Sequence, residues 1–184
     1  MNIEQQEIIN HALSSKENLH VALAVCGAYD ELKKKIIKDF SAYLESLLKD
    51  LGFETDFSDW NNRTLVGYTG FSCYKSNWHE GVKIRVEAQN GGYYNYIFGL
   101  KDNGRLNNSQ TRSNVFNKCN NALNCNGSKS PPWIWYKNLP NEYKDFDNAK
   151  TFFALHDKKV FADYLLAEIE KLGAVLDSEF AKAE

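Results

Sequence analysis

VKIRVEAQNGGYYNYIFGLK, residues 82–101, sets the fold class. Val82, Ile84, Val86 and Ala88 alternate with Lys83, Arg85, Glu87 and Gln89. Successive side chains of a strand point to opposite faces, so this period of two predicts an antiparallel strand with one face in a core. Asn90, Gly91 and Gly92 accept the positive φ that a tight hairpin requires. YYNYIFGLK then returns as the partner strand, and DNG at 102–104 ends it. Upstream, TLVGYTGFSCY (64–74) reads as another strand and GFETDF (52–57) as a shorter one. The expected sheet is an antiparallel meander of three to four strands.

Helices flank it. Leu32, Ile36, Phe40, Tyr43, Leu44, Leu47 and Leu51 recur at spacings of three and four, which gives one apolar stripe, and Gly52 stands where a helix C-cap is expected. Near the other end, Phe161, Leu165, Ile169, Leu172 and Leu176 form a second stripe, with Asp157 as its cap. Residues 2–14 can form a short helix through Ile9 and Leu13. Periodicity alone does not separate helix from strand over LHVALAVC (19–26). Ser14 followed by Glu17 has the form of a capping box and favours helix. The expected architecture is α+β: a meander between an N-terminal and a C-terminal amphipathic helix. Residues 1–29 form a helical extension, and 30–184 a single domain. The Asn- and Ser-rich stretch 107–130 reads as a long loop, with one helical turn around Val115 to Leu123.

The chain of 184 residues suffices for one core, and its net charge of −2 gives no bulk attraction to nucleic acid or an anionic membrane. No run approaches the length of a membrane span, so no membrane association is expected. MNIEQQEIIN has neither a basic start nor an apolar run; no signal peptide is expected, and the cytoplasm is the default compartment. Cys26, Cys73, Cys119 and Cys125 are too scattered for a disulfide scaffold. Cys119 and Cys125 do not match a zinc knuckle, and no histidine stands at finger spacing, so no metal or other cofactor is expected. Cys73 and His79 share a strand-loop region without an orienting third group, and no phosphate-binding glycine loop occurs. No catalytic residue is expected.

Two segments are candidates for binding. PPWIWYKNLP (131–140) holds all three prolines and two of the four tryptophans. Trp133, Trp135 and Tyr136 there are either a rigid core plug between sheet and last helix or a platform that stacks on a base, peptide or small ligand. Lys83 and Arg85 share a strand face to which Lys75, Arg63 and Lys101 can add charge. That face is either simply solvated or a site for an anion or partner. VGYTGFSCY faintly echoes the aromatic strand of RNA-recognition domains, but Tyr68 and Phe71 are three apart and point to opposite faces.

WIWYKNLPNEYKDFDNAKTFFAL (133–155), followed by VFADYLLAEIEKL (160–172), resembles the C-terminal portion of certain PD-(D/E)XK nuclease-family proteins. Those chains carry a Trp-x-Trp-Tyr-Lys element, an aromatic-acidic stretch and a closing amphipathic helix. KDLGFETDF, YTGFSCYKSNW, VKIRVEA and YIFGL match the order of elements before it, so the resemblance covers roughly residues 30–178. The nuclease core of that family lies upstream. Its motif needs an acid and then an acid-x-Lys on adjacent strands, to hold Mg²⁺ beside a lysine. The acid-x-Lys candidate here is Glu31-Leu32-Lys33, which lies at the start of a helix, and on the strand Glu87 is followed by Gln89 in place of the lysine. The resemblance therefore implies a free-standing accessory domain. Three functions follow as expectations. The first is a non-enzymatic protein that binds another protein, as an inhibitor, immunity or anti-defence factor or accessory subunit in a bacterial or phage conflict system. The second is a nucleic-acid-binding module using Lys83, Arg85 and a stacked tryptophan. The third is a degenerate nuclease-related protein.

Overall fold

The computed structural model describes residues 3–62, 67–79, 81–90, 94–102, 104, 106, 108–146 and 149–180. The chain divides into two compact units, Met1–Lys35 and Ile36–Glu184.

The first unit contains α1 (Ile3–Ala12) and the first part of α2 (Lys16–Asp50). LHVALAVC is helical, as the capping signal favours, but the cap is Ser15, whose Oγ accepts the Asn18 amide at 3.0 Å. Ser14 instead donates to the His11 carbonyl at 2.7 Å and accepts from the Asn18 side chain at 2.9 Å. The Tyr29 ring lies 4.1 Å from the Lys33 amine.

The second unit is α+β. It holds the rest of α2, then β1 (Glu54–Asp56), α3 (Ser58–Asn62), β2 (Gly70–Tyr74), β3 (Lys83–Asn90), β4 (Tyr94–Lys101), α4 (Ser109–Leu123), β5 (Ser128–Ser130), β6 (Trp133–Asn138), α5 (Ala149–Asp157) and α6 (Lys159–Phe180). Among the described residues the sheet has six strands, all antiparallel, in the order β1-β2-β3-β4-β6-β5. The expected meander is its first four strands. The added pair, β5 and β6, lies in the stretch read as a long loop and in the Trp-rich segment 131–140 read as a core plug or a platform. Arg63, the strand start Thr64 to Val66 and the turn glycines Gly91 and Gly92 lie outside the described residues.

Residues 109–123 are helix, not loop, because asparagines serve both ends. Asn108 Oδ1 accepts the Gln110 and Thr111 amides, each at 3.0 Å, and Asn124 takes the left-handed conformation at φ 48°. Val115, Cys119 and Leu123, four apart, are its buried stripe.

Helix α2 ends as expected. Gly52 (φ 78°) lets its amide reach the Lys49 carbonyl at 2.9 Å and the Phe53 amide reach Leu48 at 3.0 Å, a Schellman motif. Its buried face is Ile37, Phe40, Leu44 and Leu48, while Leu32 and Leu51 of the expected stripe are exposed. The five apolar residues expected to form the α6 stripe are fully buried. Asp157 is the last residue of α5 rather than a cap, and Lys158 (φ 66°) makes the corner into α6.

The core lies between the Phe71, Ile84, Val86, Phe98 face of the sheet and helices α2 and α6. Phe40 of α2 stacks on Phe161 of α6 at 5.1 Å. Trp60 packs on Phe71 at 5.2 Å and donates to the Tyr96 hydroxyl at 2.9 Å. Each such large side chain stabilises the fold by about 1.5–3 kcal/mol.

Candidate functional site

The face of the sheet away from Ile84 and Val86 carries a row fixed by register. Asp56 pairs with Ser72, Ser72 with Arg85, Arg85 with Gly99, and Gly99 with Tyr136. Lys83, Glu87 and Lys101 lie on the same face. The expected alternation along β3 holds, but the face is not solvated at Arg85 and Glu87, whose side chains are 8% and 1% exposed. Arg85 donates from Nε to Glu87 at 2.5 Å, and its terminal nitrogens donate to Ser72 Oγ, Asp59 Oδ2 and the Tyr68 carbonyl at 3.0–3.1 Å. Glu87 also accepts from the Lys101 amine at 2.6 Å and from the Gln89 side-chain amide at 3.3 Å. Arg85 is thus held within the chain by four acceptors. Four of the five N–H donors of its guanidinium are engaged inside the chain, so the bidentate fork that grips a phosphate is already taken up.

Lys83 stands apart. It is half-buried, and burial holds its ammonium below the usual lysine value, with Arg85 adding to the effect. Of the other cations considered, Lys101 joins this face, whereas Lys75 pairs with Asp177 of α6 at 2.6 Å. Asp56 is held below the usual carboxyl value by the hydrogen bonds it accepts from the Ser58 hydroxyl and amide at 2.6 and 3.0 Å.

The tryptophans are separated by a β-bulge. Leu100 pairs with Trp135 and Lys101 with Trp133, so Ile134 is the extra residue. The bulge sends the two rings to opposite faces, against the alternation that would place them together. Trp135 is fully buried and donates from Nε1 to Asn120 Oδ1 of α4 at 2.8 Å. Gly127 admits that ring, since a Cβ there would lie 2.0 Å from Nε1. Trp133 turns to the polar face, where Lys101 lies 5.1 Å from its ring and Tyr136 5.9 Å. It is only 4% exposed. Both tryptophans are therefore packing residues, and Tyr136 is half-buried. Arg112 of α4 clasps the β5–β6 turn by donating to the Ser130, Pro131 and Trp133 carbonyls and pairing with buried Asp102.

Tyr68 is exposed and Phe71 is in the core, so the two form no stacking platform. Glu31 pairs with Lys34 on α2 at 2.5 Å. Among the described residues no three His, Cys, Asp or Glu side chains are grouped to hold a metal. Burial pushes the thiols of Cys73 and Cys119 up, the latter to about 12, so neither is a ready nucleophile.

What the site-by-site reading missed is the first unit. Of fifteen large apolar side chains exposed among the described residues, ten lie between Ile3 and Leu32. No residue from Ile3 to Leu32 is buried. Helices α1 and α2 border a groove of about 580 Å³ lined by Ile8, His11, Val21, Val25 and Cys26 among others. The signal was present in the sequence: no Asp, Glu, Lys or Arg occurs between Glu17 and Asp30. A helix that is apolar all round is ordinarily covered. Among the described residues no helix is long and apolar enough to cross a membrane.

Comparison of the chain with protein-family models, curated proteins and solved structures gave no match.

Proposed function

We propose that this is a protein-binding protein and that residues 3–32 are its binding element. The single observation that supports this most is the exposure of ten large apolar side chains on a segment with no buried residue. Apolar patches of that extent mark interaction surfaces. Helix α1, with ten residues, is also shorter than the length at which an isolated helix is stable in water. The role expected from the resemblance, an inhibitor, immunity or anti-defence factor or accessory subunit, is a role of this kind. The proposal relocates the contact from Trp133 and Trp135, which are enclosed, to the N-terminal helices. The nucleic-acid alternative loses Arg85 to its internal partners and keeps only Lys83 of its two expected cations.

The test is affinity capture by the tagged chain from its native cells, at low and high salt and with nuclease treatment. Stoichiometric retention of a protein, or of untagged copies of the chain itself, is expected to survive both treatments and to be lost in Ile8→Glu/Val25→Glu. Recovery of nucleic acid alone, released by salt through return of counterions, would overturn the proposal.

A further inference from the structure

Resting on the reading that the first unit is a binding element, we infer that the groove between α1 and α2 takes an amphipathic helix of another protein, one that carries lysine or arginine beside its apolar face. On α2, Asn18, Ala22, Val25, Tyr29 and Leu32 follow at spacings of four, three, four and three. That repeat sets them on one line, the seam along which a second helix packs. Asn18, Ala22 and Val25 line the groove, as does Ile8 of α1. Helix α1 does not fill the seam. Its ten residues span about 15 Å, whereas Asn18 to Leu32 spans about 21 Å. Ile8, Val21, Val25, Tyr29 and Leu32 remain 45–69% exposed.

The walls of the groove favour a helix over an extended segment. They are side chains of two helices, whose backbone groups are bonded within their own turns. An extended segment laid there would leave its own N–H and C=O groups unpaired against an apolar floor. A helix brings them already satisfied.

Charge selects the kind of helix. From Ile3 to Leu32 five carboxylates stand against the single Lys16, a net charge of −4, while the whole chain carries −2. Glu31 pairs with Lys34 at 2.5 Å, and Lys33, the next cation, is only 8% exposed. Glu4, Glu7 and Asp30 form no ion pair among the described residues. Glu7 lines the groove; Glu4 lies one turn before Ile8, and Asp30 one turn after Cys26, another lining residue. The three carboxylates thus border the part of the groove away from the turn that joins α1 to α2. They are the complement of lysine or arginine flanking an apolar helix face. The same charge opposes the other occupants. A second copy would bring a further −4 against the first, and anionic lipid or nucleic acid is repelled likewise.

The experiment is fluorescence anisotropy of a labelled peptide titrated with the full chain. The peptide has about 14 residues, the length of the seam, with leucine along one helix face and lysine beside it. Its counterpart has glutamate for every lysine. The lysine peptide is expected to saturate at one per chain in the micromolar range, and the glutamate peptide to bind at least about tenfold more weakly. Val21→Ser/Val25→Ser is expected to weaken the lysine peptide about tenfold, through lost apolar contact. Glu7→Lys is expected to weaken the lysine peptide and strengthen the glutamate one, a gain that a misfolded variant would not give. Glu170→Lys, the same change of charge on α6, is expected to leave both affinities within about twofold. Three outcomes overturn the inference. One is failure of the lysine peptide to bind, after which sedimentation equilibrium tells a seam covered by a second copy from a bare one. Another is a glutamate peptide that binds as tightly or more tightly. The third is a lysine preference that ignores Val21→Ser/Val25→Ser and responds to Glu170→Lys as it does to Glu7→Lys, which is bulk charge alone. None of them touches the broader reading, which falls only if the capture experiment retains no protein.

Discussion

Replacing Glu87 with glutamine tests whether the polar face of the sheet is a structural network or a binding surface. The carboxylate is 1% exposed and accepts from Arg85, Lys101 and Gln89. The amide keeps its shape and removes its charge. Breaking a buried ion pair from one side costs about 3–5 kcal/mol, because the partner left behind is an uncompensated charge. Arg85 retains Asp59 at 3.1 Å, and Lys101 retains the Trp133 ring at 5.1 Å, which places the expected loss at the lower end, about 3 kcal/mol. The assay is urea unfolding followed by tryptophan fluorescence, which reports only the second unit because Trp60, Trp78, Trp133 and Trp135 all lie there. The midpoint should fall with the slope unchanged. High salt should not erase the difference, since buried pairs are poorly screened. The paired change Arg85→Met/Glu87→Leu should cost less than the sum of the two single changes. A loss for Glu87→Gln under about 1 kcal/mol, or one abolished by salt, would refute the burial argument and return Arg85 to the solvent as a possible phosphate ligand.

Three further outcomes follow from particular contacts. Asn120→Ala removes the acceptor shared by Trp135 Nε1 and the Gly127 amide, each at 2.8 Å, and should cost about 2 kcal/mol of denaturant stability; Asn120→Asp, which keeps an acceptor there, should cost less. Gly99→Ala would place a Cβ 2.2 Å from the Trp135 carbonyl oxygen, a backbone atom that cannot step aside, so loss of the folded second unit on circular dichroism is expected. Burial raises the Asp177 carboxyl, but the hydrogen bonds from Lys75 and the Trp78 indole at 2.6 and 2.7 Å outweigh it and leave the net value below 3.8. A carboxyl depressed in the folded state contributes stability that is present above its unfolded value and lost as pH falls through the folded one. Acid titration of unfolding should therefore show an Asp177 contribution that disappears below about pH 4 and is absent from Asp177→Asn.

Periodicity alone determined the elements whose apolar residues repeat without interruption. The alternation from Val82 to Ala88, the closing stripe from Phe161 to Leu176 and the Gly52 cap each state a local geometry, and local geometry is what sequence spacing encodes. The helix at 109–123 was legible in principle from Asn108 and the fourfold spacing of Val115, Cys119 and Leu123. The abundance of asparagine concealed it, because that residue favours caps and loops alike. Other features belong to tertiary structure. The bulge at Ile134 parts Trp133 from Trp135, and it arises in the pairing of β4 with β6. Arg85 and Glu87 looked like residues of a solvated face; only the approach of Asp59, the Tyr68 carbonyl and Lys101 makes that face an enclosed network. The uncharged run from Asn18 to Tyr29 announced a helix in need of cover. That its side chains remain exposed is a fact about which surfaces of the chain meet, and spacing along a sequence carries no record of distances between segments far apart in it.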